Sequence, residues 1–343
     1  MVAGLLNKNV FFRCDGGSDL GLGHITRSIE LALGFKKLGL KKIIFFVFSD
    51  NHNVFKRIKK NGFKFYKCPF SLGTKKDLLF MKKFSNLEDN NNSILICDTF
   101  CLKDYYLKEY SKYFFLVLIN ELKKNKSYSN ILIGTSEKNN KSIIPLYGKK
   151  TNLIRKEFIN SNNKKVNNNQ SKILITMGAG DPDNVTSWFL SNFVNELKNE
   201  EIYVLLGGAY KYKKQIYKKF SKLYKNIKIF YDLEKPSNVM KKSYFAISSS
   251  GNMSLELAAL GIPQLLVSLD KTQRIITKFL VKKKCALNLG FYKNLKKRKV
   301  GSLIKDFINK KSFRNKYKIN NPNIFHSEGS LNIAKLIIKK FDE

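Results

Sequence analysis

The chain has 343 residues, and at roughly 100–200 residues per domain this length predicts two domains. A hydrophobic content of 43% with 13% aromatics excludes general disorder and is ample for sizeable cores. The formal charge of +38 is spread along the chain among Asn, Ile and Phe rather than confined to one arm. It therefore reads as compositional bias, and with no RNP-like, zinc-finger or helix-turn-helix pattern, no nucleic-acid partner is expected.

In chain order, KNVFFRCD reads as a buried strand. A glycine turn follows, and then a helix from Ile25 to Leu38 that Gly39 closes. KKIIFFVFS is a second buried strand, HNVFKRIKKNG a helix and FKFYKC a short strand. DLLFMKKFSNL is helical, SILICDTF a strand, LKDYYLKEYSKY a helix, YFFLVLIN a strand and NILIGT a weaker one. Strands that are continuous apolar runs, alternating with helices, predict a parallel sheet covered on both faces.

The pattern then restarts. Residues 159–170, INSNNKKVNNNQ, are polar and Asn-rich and read as a linker between a domain at 1–158 and another at 171–343. SKILITMG is a strand ending in the turn GAGD, with a helix near Val185 to Leu197. EIYVLLGG, NIKIFYDL, YFAISSS and IPQLLVSL are strands; QIYKKFSKLY, PSNVMKKS, GNMSLELAALG and KTQRIITKFLVKKK are helices. The amphipathic tail GSLNIAKLIIKKF is a final helix, placed to pack back on the first domain. The expected fold is thus α/β, two Rossmann-like domains facing across a cleft. Ligands of open α/β sheets bind beyond the carboxyl ends of the strands, and every motif below lies at such an end.

Five cysteines, at positions 14, 68, 97, 101 and 285, form no C-x-x-C pair and read as small buried residues in a reducing compartment. No metal-ligand cluster and no cofactor motif is visible. No apolar run reaches the ~18 residues of a membrane span, and a cytoplasmic location is expected.

Four motifs carry chemistry. In RCDGGSDLGLGHITRS, Gly17, Gly21 and Gly23 lead into His24 at a helix start. The third glycine of a dinucleotide fingerprint is missing. A neutral imidazole there is placed to accept a proton, although capping or packing is the plainer role. SILICDTF ends a strand with Asp98 and Phe100. ITMGAGD turns through Gly178, Ala179 and Gly180 to Asp181, which either borders a diphosphate or simply caps the next helix. ISSSGNMSLE brings Ser249, Ser250, Gly251, Asn252 and Met253 to a helix start, with Glu256 farther in. Hydroxyls and amides of that kind suit phosphate oxygens.

FFRCDGGSDLGLGHITRSIELA resembles the signature of the UDP-2,4-diacetamido-2,4,6-trideoxy-β-L-altropyranose hydrolases of pseudaminic acid biosynthesis and of related spore-coat polysaccharide proteins. That family is similar in fold to the GT-B glycosyltransferases. Arg13, Asp15, Ser18, Gly21, Gly23, His24 and Arg27 match its pattern. The resemblance implies a metal-independent enzyme with a UDP-sugar substrate, His24 as catalytic base and inversion at C1. It places Arg13, Asp15, Ser18, Gly21, Gly23, Arg27, Asp98, Phe100, Thr272 and Gln273 at the sugar. Gly178, Ala179, Gly180, Asp181, Ser249, Ser250, Gly251, Asn252, Met253 and Glu256 fall at the nucleotide, with Glu256 on the ribose. Four positions depart from the family: Phe100 stands where Tyr is common, Ala179 where Gly is usual, Thr272 where Asn is usual, and Asn120 beside Glu121 where acidic residues are common. A GT-B glycosyltransferase using a UDP-sugar donor, and a non-catalytic sugar-nucleotide binder, are the alternative functions.

Overall fold

The computed structural model describes residues 8–17, 20–85, 93–100, 102–120, 128–134, 142–148, 150–159, 171–221, 224–318 and 324–343. Ser18, Cys101, Glu121 and almost all of the polar segment 159–170 lie outside them. The chain forms two compact units, one of Met1–Ile154 with Asn323–Glu343 and one of Arg155–Pro322.

Unit 1 begins β1 (Asn9–Cys14), α1 (Gly23–Lys37), β2 (Lys42–Val47), α2 (His52–Lys60), β3 (Lys64–Lys67) and α3 (Lys75–Ser85). It continues β4 (Ser93–Asp98), α4 (Asp104–Tyr110), β5 (Phe115–Ile119), β6 (Ile131–Gly134) and β7 (Ile143–Pro145). All strands are parallel, in the order β3-β2-β1-β4-β5-β6-β7. Every residue of β1 and of β4 is buried, as a central parallel strand covered by helices on both faces requires.

Unit 2 runs α5 (Lys156–Ile159), β8 (Lys172–Thr176), α6 (Val185–Phe193), β9 (Glu201–Leu206), α7 (Lys213–Ile216), β10 (Ile227–Tyr231) and α8 (Ser237–Met240). Then come β11 (Ser243–Ser249), α9 (Asn252–Ala259), β12 (Gln264–Ser268), α10 (Arg274–Lys282), β13 (Ala286–Phe291), α11 (Lys297–Asn309) and α12 (Lys311–Asn315). Its strands are also parallel, in the order β10-β9-β8-β11-β12-β13. Strand order reverses between β1 and β4 in unit 1 and between β8 and β11 in unit 2. Ligands of such sheets bind outside the strand ends at that reversal.

Five elements add to those read from the sequence: β7, α5, β13, α11 and α12. β7 has only three residues, and β13 carries Asn288 and Gly290 where its register against β12 shifts, so neither shows an unbroken apolar run. The helix expected over QIYKKFSKLY narrows to α7 and a wider π turn at Tyr217–Ser221.

The chain returns to unit 1 through α13 (Gly329–Asp342), which packs against α1. Gly34 makes the approach possible, because a Cβ there would lie 2.5 Å from the Ser330 carbonyl oxygen. Ile333, Ala334 and Ile337, spaced three and four apart, are fully buried along α13. Asn332 Nδ2 donates to the Lys150 carbonyl at 2.9 Å, and Phe341 meets Phe115 edge-on at 5.1 Å.

Candidate active site

The loop after β1 is closed by two backbone bonds, Gly17 N to Gly21 O at 3.0 Å and Gly21 N to Gly17 O at 2.8 Å. A Cβ on Gly17 would sit 2.0 Å from Asp50 Oδ1, so any larger residue there would have to displace that carboxylate. The closed loop delivers the chain into α1, whose second residue is His24. Parallel register sets Cys14 beside Asp98, so the end of β4 comes next to the start of α1. His24 Nδ1 lies 2.7 Å from Asp98 Oδ1. Asp98 also accepts from Arg27 Nε at 2.7 Å, Arg27 Nη2 at 2.5 Å and Ser28 Oγ at 3.2 Å.

Burial alone would push the Asp98 carboxyl up. Arg27 and then His24 outweigh burial and hold it below the ordinary carboxylate range. An ionised carboxylate only accepts, so in the neutral ring the proton is assigned to Nδ1, which donates it to Asp98, with Arg27 Nη2 3.2 Å from the same nitrogen. Nε2 is left with the lone pair and has no hydrogen-bond partner among the described residues. The imidazole keeps 11% of its surface exposed. Phe100 packs against it at 4.8 Å between centroids, and the Arg27 guanidinium lies 5.4 Å from the same ring. His24, Arg27, Asp98 and Phe100 thus form one cluster at the strand-order reversal of unit 1.

Arg13 and Asp15 occupy a different place. Arg13 is fully buried: its Nε donates to Asp77 Oδ1 at 2.8 Å, its Nη2 to the Phe70 carbonyl at 2.8 Å, and its Nη1 to Asp15. Burial works against the guanidinium charge, but Asp15 and Asp77 more than offset it and raise its pKa. Asp77 also accepts from Tyr110 Oη at 2.6 Å, and Asp15 from Leu72 N at 2.7 Å. The resemblance places both residues at the sugar; in the structure their bonds hold segment 70–77 against β1. Ser18 lies outside the described residues.

In unit 2, the register of β8 against β11 pairs Thr176 with Ser248, so the turn at Gly178 and the serines at the end of β11 emerge side by side. A Cβ on Gly178 would be 3.4 Å from Ser249 Oγ. Ser250 is fully buried, and its Oγ has no hydrogen-bond partner among the described residues. Gly251 is the N-cap of α9; no side chain caps this end and no acidic residue lies in the first turn. An orphaned hydroxyl at an uncapped helix start favours an anion. Met253 points its sulfur back to Thr176 Oγ1 at 3.3 Å.

Asp181 lies just before α6. Its carboxylate accepts from Val185 N at 2.7 Å and Thr186 N at 2.8 Å, capping α6. Burial raises its pKa, against the pull of those bonds. The Ala179 carbonyl accepts from Ala209 N at 3.1 Å, which ties the turn to the end of β9. Glu256 is buried and bound by Arg155 in a two-point pair, Nε to Oε1 at 2.8 Å and Nη2 to Oε2 at 2.9 Å. Thr272 and Gln273 belong to a turn held by Asp270, which accepts from both backbone amides; Gln273 Oε1 accepts from Leu269 N at 3.0 Å.

Residues 156–337, more than half of the chain, match the glycosyltransferase family 28 C-terminal domain. The chain belongs to this family. The family 28 domain contains every residue of the Gly178 turn, the start of α9 and the Asp270 turn, while His24 and Asp98 lie before it. An uncharacterized protein of Methanocaldococcus jannaschii is 28% identical over 279 residues, which is 76% of this chain and 55% of that protein. The chain therefore spans about half the length of this curated relative.

Among solved structures, a UDP-GlcNAc 2-epimerase from Neisseria meningitidis superposes with a TM-score of 0.68 at 12% identity, covering 96% of this chain and 100% of its own. MurG of Acinetobacter baumannii gives 0.60 at 11%, covering 96% and 99%. A UDP-GlcNAc 2-epimerase of Methanocaldococcus jannaschii gives 0.61 at 14%, covering 96% and 99%. The likeness is one of fold: this family 28 chain has the two-domain α/β GT-B-like architecture. Among the described residues, no helix is long and apolar enough to cross a membrane.

Sequence reasoning did not find Arg155, Asp77 or Tyr110. Arg155 stands in a polar stretch just before the family 28 domain and carries no motif. Asp77 opens a helical run and has the look of an ordinary first-turn acid.

Proposed function

We propose that the chain is a UDP-sugar-processing enzyme that cleaves the bond between a sugar and a nucleoside diphosphate, with His24 as general base and water as the attacking group. The observation that carries this reading is the Asp98–His24 pair, which fixes the imidazole tautomer and leaves Nε2 able to take a proton. Ordinary glycosidases need two carboxylates because an alkoxide leaves badly. A nucleoside diphosphate leaves well, so one base and one anion cradle suffice. His24 Nε2 orients a water and removes its proton as oxygen attacks C1 from the face opposite the diphosphate, which inverts that centre. Asp98 stabilises the imidazolium that forms and does not itself take the proton. Unit 2 is assigned the nucleotide: the amides at the start of α9 and the hydroxyls of Ser249 and Ser250 receive the charge that develops on the diphosphate.

The substrate assigned is a UDP-linked 2,4-diacetamido-trideoxy sugar or a close relative, on the strength of the Arg13–Arg27 signature. Three similar structures support the nucleotide by what they hold: two UDP-GlcNAc 2-epimerases carry UDP-GlcNAc, and a Staphylococcus aureus protein carries UDP. A second reading, transfer of the sugar to an acceptor hydroxyl deprotonated by the same His24, is favoured by membership of a glycosyltransferase family. The deciding experiment offers the purified protein a panel of UDP-sugars with and without acceptors. Free sugar and UDP without an acceptor support hydrolysis. Turnover that requires an acceptor supports transfer. No turnover, with UDP still bound, leaves a sugar-nucleotide binder.

A further inference from the structure

We infer that Arg155 is a positioning residue for ribose recognition: its two-point grip on Glu256 fixes the carboxylate so that the remaining acceptor sites receive the two ribose hydroxyls. The inference rests on the nucleotide reading proposed above. Glu256 is a buried carboxylate whose side chain keeps 5% of its surface, and the Arg155 pair occupies one acceptor site on each oxygen. A carboxylate has about four such sites, so one remains per oxygen, which matches a vicinal diol.

Arg155 is itself held from three sides. Its Nη1 lies 3.1 Å from Glu157 Oε1, and its guanidinium sits over the Phe158 ring at 4.7 Å. Glu157 is anchored in turn, its Oε2 accepting from Ser237 Oγ at 2.6 Å. The line Ser237–Glu157–Arg155–Glu256 ties α8 and α5 to α9. A fork of this kind fixes both the plane and the direction of the carboxylate, whereas a lysine would hold a single point. Without the fork, Glu256 keeps its place on α9 but loses its fixed orientation, and two short hydroxyl bonds need that orientation.

The test measures binding of UDP and of 2′-deoxy-UDP to the full chain by calorimetry. Wild type should prefer UDP by ~10–100-fold, the worth of one hydrogen bond to a charged group. In Arg155→Met the preference should fall below about 3-fold, mainly through weaker UDP binding, with 2′-deoxy-UDP affected less. A purely structural role would weaken both nucleotides together and leave the ratio intact. Arg155→Lys is the second variant should the methionine variant fail to fold; it keeps the charge, and its preference should still drop by at least about 5-fold. A ratio unchanged in the folded variants overturns this inference alone. Absence of UDP binding by wild type overturns the nucleotide reading and this inference with it.

Discussion

Asp98 accepts the Nδ1 proton of His24 at 2.7 Å, and the same carboxylate is gripped through two nitrogens by Arg27. The imidazole is therefore attached to an ion pair rather than to an isolated anion. Arg27 balances much of the carboxylate charge while Asp98 orients the ring. A base needs both properties: a fixed direction and an empty lone pair.

Replacing His24 by Ala should lower turnover of the accepted UDP-sugar by ~10²–10⁴-fold, the usual worth of a general base. UDP affinity should change little, because the nucleotide is assigned to unit 2. Steady-state rates and calorimetry on one preparation check both halves. A His24→Ala protein with near wild-type turnover removes the imidazole from the mechanism.

Asp98→Asn keeps the shape but presents an amide to His24 and to Arg27. Turnover should fall by ~10²–10⁴-fold as the wrong tautomer is favoured. Weakening the buried ion pair with Arg27 should also lower stability in urea unfolding. The pH dependence follows from the sign of the shift. The folded pKa of Asp98 is depressed, so its stabilisation is present above the unfolded value of ~3.9 and is lost as pH falls through the folded value. Wild type should therefore lose stability on acidification below about pH 4 more steeply than Asp98→Asn does.

Asp181 has the opposite sign. Burial raises its folded pKa, so its contribution is full below ~3.9 and declines as pH rises through the raised value. Asp181→Ala should cost about 0.5–2 kcal/mol through loss of the cap. Asp181→Asn keeps one capping bond and sheds the buried charge. Its stability relative to wild type should improve between pH 4 and pH 7, readable by urea melts at the two values; a constant or falling difference contradicts the assignment.

Ser250→Ala removes a buried hydroxyl that has no partner among the described residues, so unfolding stability without nucleotide should hold or rise slightly. UDP affinity should weaken by ~10-fold or more, the loss of one bond to a phosphate oxygen. Equal UDP affinity in the two proteins would leave the hydroxyl without a ligand role.

Much of the framework was legible because parallel strands write themselves as apolar runs: Asn9–Cys14 and Ser93–Asp98 are buried at every position and were readable as strands. Two such series gave the two α/β units, and the GT-B likeness came with the resemblance of the Arg13–Arg27 signature. The site was legible only in part. His24 was marked by its glycine loop, but nothing in SILICDTF distinguishes an acid aimed at an imidazole from one aimed at solvent. That choice is made by register between distant strands. Arg13 illustrates the converse: it matches a motif, yet its partner Asp77 lies 64 residues away and takes it into the interior. Arg155 and Glu256 are 101 residues apart, and neither position announces the other.

The packing of Ser330 onto Gly34 bears on how the chain matures during translation. Unit 2 is contiguous and complete once residue 322 has cleared the ribosome, but unit 1 waits for a helix made after it. Until α13 is synthesised, the face of α1 that receives it stays open to water and to chaperones. Unit 1 therefore gains its last helix only after the whole of unit 2 has been made.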